Sequence, residues 1–172
     1  MAGGDPLVLE ANRSALLDDG ATVDNPQCLG AWAAAQGAVY TNTGASGVAV
    51  QRLRALNQTW QDGLTQGVIA FTSQDNAAKS WVTQRGQWAL CGGKTVTVTA
   101  PGQPAQIWQF AQPVTTAGVL TIAASLQAGT ATCEHGILVR GNVVIDIRQC
   151  RPNGGANIAA LVSATAAKVP QQ

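Results

Sequence analysis

Two cysteines bracket a hairpin, and that placement constrains the fold of this chain more than any other feature. Between Cys133 and Cys150 the sequence reads as a strand, the pair Gly141-Asn142 and a second strand. A Gly-Asn pair between apolar runs signals a tight turn, because glycine accepts the positive φ that a two-residue hairpin loop requires. With Gly141 and Asn142 as the turn, Arg140 faces Val143, and counting outward sets Cys133 opposite Cys150. Pair types alternate along an antiparallel ladder. The count makes 133/150 a non-hydrogen-bonded pair, whose Cα atoms approach to about 4.5 Å, within disulfide reach. A cross-strand bridge is the prediction.

Cys28 and Cys91 are then left to form a second bridge, although four cysteines allow three connectivities and the other two stay open on these grounds. Persistent disulfides belong outside the reducing cytosol, so an extracellular or cell-envelope location is expected. Zinc is the competing use of four cysteines. No C-x-x-C pair exists and the chain has a single histidine, so no metal site is expected. The same absence argues against a thioredoxin-like redox site.

At 172 residues the chain is long enough for one domain with a sizeable core, expected over 1–172 with its centre at about 24–169. Charged residues make up 11% and the net charge is +1, which gives no basic face for nucleic acid. No apolar run reaches the length of a membrane span. Met1-Ala2-Gly3-Gly4-Asp5 lacks the basic start and apolar stretch of a signal peptide. For an oxidised domain, export and membrane attachment are therefore expected to reside in a segment outside this sequence.

Along the chain, Leu7-Val8-Leu9 is a short apolar piece, followed by an expected helical turn at Ser14-Ala15-Leu16-Leu17. Asn25-Pro26 reads as a cap and first helical position, with a helix to Gln36 that Gly37 ends. Strands are expected over Gly47–Leu56 and Gln66–Thr72. Ser73 caps a long helix from Gln74 to Leu90, with Ala77, Trp81, Val82, Trp88 and Ala89 on its apolar stripe and a weak point at Gly86. Strands over Lys94–Thr99, Gln106–Ala111 and Val119–Leu126 follow, with a turn at Pro113–Gly118. The hairpin and a final helix over Ala156–Val169 close the chain. This order predicts an α+β domain, a mostly antiparallel sheet with helices packed on one face.

Catalytic chemistry finds no foothold. His135 is the lone histidine, no G-x-S-x-G elbow is present, and Gly92-Gly93-Lys94 lacks the spacing of a phosphate loop. No enzyme activity and no cofactor are expected. The hairpin count does assemble one polar group: His135 faces Arg148 and Ile137 faces Asp146, on the face that carries Cys133–Cys150. Gly136, Leu138, Ile145 and Ile147 share the opposite, core face. His135, Asp146 and Arg148 are candidate ligand-binding residues, with Arg148 suited to an anionic group. The alternative is a solvated sheet face on which Asp146 offsets Arg148 or His135. Trp81 and Trp88 are expected in the core. Trp32, Trp60 and Trp108 are candidates for a ligand-facing wall, with core packing favoured. Asn12-Arg13-Ser14 and Asn57-Gln58-Thr59 match the glycosylation pattern.

Several segments together resemble a known family. Gln66-Gly67-Val68-Ile69-Ala70-Phe71, the helix ending Gln87-Trp88-Ala89-Leu90-Cys91, and Thr95-Val96-Thr97-Val98 are similar to the PknH-like extracellular domain. So is Cys133, followed by Val139-Arg140-Gly141-Asn142-Val143-Val144-Ile145-Asp146-Ile147 and Cys150. The likeness spans Asp24 to Val169. It implies the sensor part of a mycobacterial transmembrane serine/threonine kinase, or a related exported lipoprotein that binds or carries a cell-envelope molecule. It also implies an α+β fold with a large cleft for an unidentified small-molecule or cell-envelope ligand, and disulfides pairing Cys28 with Cys91 and Cys133 with Cys150. The resemblance transfers no catalytic residue. Gly-rich loop, His-Arg-Asp and Asp-Phe-Gly motifs are all missing from the sequence, so any kinase activity would lie in another region.

Overall fold

The computed structural model describes residues 6–56 and 62–170. Among them nine strands form one antiparallel sheet: β1 (Leu7–Arg13), β2 (Ala45–Ala55), β3 (Gly63–Phe71), β4 (Thr95–Val98), β5 (Gln106–Phe110), β6 (Val114–Thr116), β7 (Val119–Leu126), β8 (Thr132–Arg140) and β9 (Val143–Arg151). The order across the sheet is β1-β2-β3-β9-β8-β7-β5-β4, with β6 pairing β7. The cysteine hairpin β8–β9 thus lies mid-sheet. Its register sets Cys133 opposite Cys150, His135 opposite Arg148 and Ile137 opposite Asp146, as the turn count predicted. Gly141 turns with φ 58°, and Asn142 staples the turn to β3 through both its carbonyl and its side-chain amide.

Both disulfides form as expected, Cys28–Cys91 and Cys133–Cys150, the second with Cα atoms 3.9 Å apart. The α+β class holds. The long helix α3 (Gln74–Cys91) and the short α1 (Leu29–Trp32) pack on the sheet face of Cys133, His135 and Ile137. The structure refines the expectation of helices on one face, because α4 (Ile158–Ala166) covers the other. Ile158 and Val162 of α4 pack with Ile145 and Ile147, the apolar face read from the sequence. Burial of each such side chain is worth about 1.5–3 kcal/mol. Gly136 lets α4 approach, since a Cβ there would stand 3.1–3.2 Å from Val162 and Ile158.

The first helix departs from expectation. Asn25 caps as predicted, its Oδ1 accepting from the Gln27 N–H at 3.1 Å, but a 3-10 turn at Pro26–Cys28 leads into α1, which stops at Trp32. Ala33–Gln36 leaves the helical path, with Ala35 at φ 56°, and Gly37 opens α2 (Gly37–Tyr40) instead of ending a helix. The cause is tertiary: the Ala35 N–H donates to Asp146 Oδ2 at 2.9 Å, so local propensity yields to a buried carboxylate. At the amino end, Leu7–Arg13 is an edge strand, and no helical turn forms at Ser14–Leu17. The Pro113–Gly118 turn contains β6 and tightens to Ala117-Gly118, both at positive φ.

In α3, Ser73 caps as expected, accepting from the Asn76 N–H at 3.1 Å. The buried stripe is Ala77, Ser80, Gln84, Trp88 and Cys91, whereas Val82 and Ala89 face solvent and Trp81 is half-buried. The helix continues through Gly86, where nothing stands within 4 Å of a built Cβ, so no close packing requires that glycine.

Candidate functional site

The face carrying His135, Asp146 and Arg148 is roofed, not solvated. Segment 31–36, α2 and α3 lie over it, and His135 and Asp146 are only 2% and 1% exposed. His135 Nε2 meets Asp146 Oδ1 at 2.6 Å, and His135 Nδ1 meets the Ala31 carbonyl at 3.0 Å. A carbonyl only accepts, so Nδ1 carries a proton. Asp146 Oδ2 accepts from the Tyr40 hydroxyl at 2.7 Å and from the Ala35 N–H, and Gln84 Nε2 donates to the Tyr40 oxygen at 3.1 Å. Burial first, and the Asp146 charge second, push the Tyr40 hydroxyl well above its ordinary pKa. The tyrosine therefore keeps the proton it donates. Trp88 stacks obliquely on His135, ring centres 4.5 Å apart.

Gly67 makes this arrangement possible. It opposes Asp146 on β3, and a Cβ there would stand 2.9 Å from the Ala35 Cβ. A glycine inside a strand marks a close backbone approach, and here that approach is the 33–36 segment settling onto the sheet.

Arg148 faces a different environment. It lines an open cleft of about 270 Å³ with Trp32, Ala33, Ala34, Asp19 and Arg52. Its guanidinium lies 4.1 Å from the centre of the Trp32 ring, and Nη2 contacts Cys133 Sγ at 3.2 Å. Cation–π attraction and a weak sulfur acceptor replace the carboxylate a half-buried arginine ordinarily finds. Nε is buried without an acceptor. Burial pulls the Arg148 pKa down to about 10; Asp19 opposes that drop and Arg52 adds to it. The two other arginines of the cleft are paired, Arg52 with Asp19 at 2.7 Å and Arg54 with Glu10. Asp19 is further fixed by Gln36, whose amide exchanges two 2.8 Å bonds with it.

The three sequence-predicted binding residues thus divide. Arg148 borders the cleft, while His135 and Asp146 anchor the segment that forms its wall. Trp32, a candidate wall residue, does line the cleft; Trp108 packs against it inside the core with centroids 5.1 Å apart. Trp60 and the Asn57 sequon lie outside the described residues, and Asn12 is exposed on β1. Sequence reasoning missed Tyr40, Gln84, Asp19 and Arg52, which come from α2, α3, a loop and β2, far apart in sequence. Gly67 within an apolar strand was the one local signal of the close approach.

Comparison with known proteins agrees with this architecture. Residues 1–168 match the model of the PknH-like extracellular domain. The serine/threonine-protein kinase PknH of Mycobacterium bovis is 29% identical over 130 residues, covering 75% of this chain and 22% of the kinase. PknH of Mycobacterium tuberculosis matches at the same identity, over 21% of its length. The crystal structure of the extracellular domain of PknH from Mycobacterium tuberculosis superposes with a TM-score of 0.82 at 26% identity, covering 93% of this chain and 82% of that one. The match spans about a fifth of the kinases' length, and the family model covers nearly the whole of this chain: it belongs to the PknH-like extracellular domain family.

Proposed function

We propose that this domain is the extracellular sensor of a membrane-bound serine/threonine kinase and binds a small cell-envelope ligand in the Arg148 cleft. The observation that carries the reading is the Arg148 guanidinium, desolvated, laid on Trp32 and without a carboxylate partner among the described residues. Holding a cation this way costs stability unless an anion completes it. The cleft side chains Arg52, Arg54 and Arg148 against Asp19 and Glu10 leave one positive charge, which fits a single carboxylate or phosphodiester group. Signalling requires the ligand to bind two states of the domain differently. The cleft wall at Trp32–Ala34, held from beneath by Ala31 and Ala35, is the element such a ligand would bias.

The test is a thermal-shift screen of the oxidised domain against muropeptides, phospholipids, glycolipids and arabinogalactan fragments. A ligand at 100 times its Kd adds about 2.7 kcal/mol, which is several degrees of Tm for a domain of this size. A shift confined to anionic members and abolished by Arg148→Ala supports the reading. A flat screen, or shifts indifferent to Arg148, overturns it.

A further inference from the structure

The Cys133–Cys150 bridge borders the Arg148 cleft, and its two cysteines stand in different surroundings. Cys150 is part of the cleft lining. Gly63, which opposes it on β3, has no side chain to cover it. Cys133 is not part of that lining and packs within the core cluster that holds Trp32, Trp108 and Ala124. Arg148 Nη2 donates to Cys133 Sγ at 3.2 Å, so the guanidinium rests on the sulfur of the cysteine that the cleft does not reach.

A neutral disulfide sulfur is a weak acceptor and gives a cation little. A thiolate in the same place gives far more, which is why a neighbouring cation lowers the pKa of a cysteine. In thiol–disulfide exchange the sulfur of lower pKa leaves faster. The asymmetry therefore favours attack on Cys150 with departure of Cys133. Cys28–Cys91 lacks both features. Each of its cysteines is 1% exposed, neither lines the cleft, and among the described residues no cation hydrogen-bonds to either sulfur.

We infer that Cys133–Cys150 is a redox-sensitive bridge that a small-molecule thiol opens from the cleft, with Cys150 as the sulfur attacked and Cys133 released as a thiolate beside Arg148. In the first step the reductant thiolate bonds to Cys150 Sγ, and the electron pair of the Cys133–Cys150 bond leaves on Cys133. In the second, another reductant thiolate displaces Cys150 from the mixed disulfide. The bridge gains two electrons, and two reductant thiols become one disulfide. The β8–β9 ladder keeps the strands joined throughout. On the function proposed for the cleft, the Cys133 thiolate then cancels the Arg148 charge, and reduction switches off the affinity for anions.

The experiment treats the oxidised domain with 2-mercaptoethanol under native conditions, quenches with N-ethylmaleimide and maps the cysteines by peptide mass spectrometry. Cys133–Cys150 is expected to open clearly faster than Cys28–Cys91, whose reduction in the same sample reports opening of the whole domain. The first product should carry 2-mercaptoethanol on Cys150 and N-ethylmaleimide on Cys133. Relative to that internal standard, Arg148→Met should slow the opening about tenfold, the loss of one charge-assisted hydrogen bond to the departing thiolate. Arg148→Lys, which keeps a cation, should fall between the two. Equal rates for both bridges, a first adduct on Cys133, a rate not lowered in Arg148→Met, or an Arg148→Lys rate no higher than that of Arg148→Met overturns the proposal. No anionic ligand is present, so failure here leaves the function proposed for the cleft standing, and failure of that function leaves the bridge chemistry standing.

Discussion

His135 Nε2 lies 2.6 Å from Asp146 Oδ1 across a diagonal of the β8–β9 hairpin, with both side chains almost entirely removed from solvent. Each also reaches out of the sheet to main chain, His135 to the Ala31 carbonyl and Asp146 to the Ala35 N–H. Trp32, Ala33 and Ala34, three residues of the cleft lining, are strung between those two anchor points. A buried polar pair thus shapes a surface it does not reach.

Breaking that pair should be expensive. Removing one partner of a buried, hydrogen-bonded pair costs about 3–5 kcal/mol, because the other is left uncompensated. Asp146→Ala and His135→Ala are each expected to fall in that range in urea unfolding. The double variant should lose clearly less than the sum, since its second substitution removes a group already orphaned. Single losses under about 1 kcal/mol, or strict additivity, would show that the pair does not act as a unit.

Arg148 should behave in the opposite way. Arg148→Met keeps an extended apolar stem against Trp32 and removes a desolvated cation whose Nε has no acceptor. Lost cation–π attraction, about 0.5–2 kcal/mol, is offset by the relief of desolvation. The variant is expected to melt within about 4 °C of the parent. A large loss of stability would mean that Arg148 is a structural residue and not one held ready for a ligand.

What the sequence revealed follows from the range of the interactions. The hairpin register and the Cys133–Cys150 bridge were legible because turn, alternation and cysteines all lie within one short segment. The Ser73 cap and the apolar face under α4 were legible for the same reason. The end of α1 was not, because Ala33–Gln36 is a good helical sequence overruled by Asp146, more than a hundred residues away. The buried stripe of α3 was misread where polar Ser80 and Gln84 occupy core positions, since hydrophobic periodicity cannot see a polar side chain that distant segments bury. His135 and Asp146 were found on the right face with the wrong exposure: the strands fix which way a side chain points, and distant segments decide what covers it.

Glu134 gives a pH-dependent signature. It sits at the amino end of α4, accepting weakly from the Ile158 N–H at 3.4 Å, and burial raises its pKa above the ordinary carboxylate value while that bond opposes the rise. A raised carboxyl pKa means the folded state holds its proton more tightly than the unfolded chain. Its contribution is therefore full below the unfolded value and is lost as pH rises through the folded one. Glu134→Gln keeps an acceptor for Ile158 and carries no charge. Its Tm relative to the parent is expected to rise between about pH 4 and pH 7, and a difference constant across that window would rule the assignment out.

The two disulfides should differ in kind as well as size. Cys28–Cys91 closes the longer loop, 63 residues apart in sequence against 17 for Cys133–Cys150, and the chain-entropy estimate gives about 4 against about 3 kcal/mol. The larger contrast is local. Cys133 and Cys150 sit on strands already joined by a full ladder, so Cys133→Ser/Cys150→Ser should lower Tm and leave the cleft wall in place. Cys28, by contrast, ends the 3-10 turn leading into α1, and Cys91 ends α3, so this bridge pins the Trp32 segment to the long helix. In Cys28→Ser/Cys91→Ser the amides of Leu29–Ala33 are expected to exchange with deuterium faster by a factor that exceeds the global loss of stability, as local opening predicts. Equal protection losses over α1 and over β7–β8 in that variant would mean that the bridge stabilises the domain only as a whole.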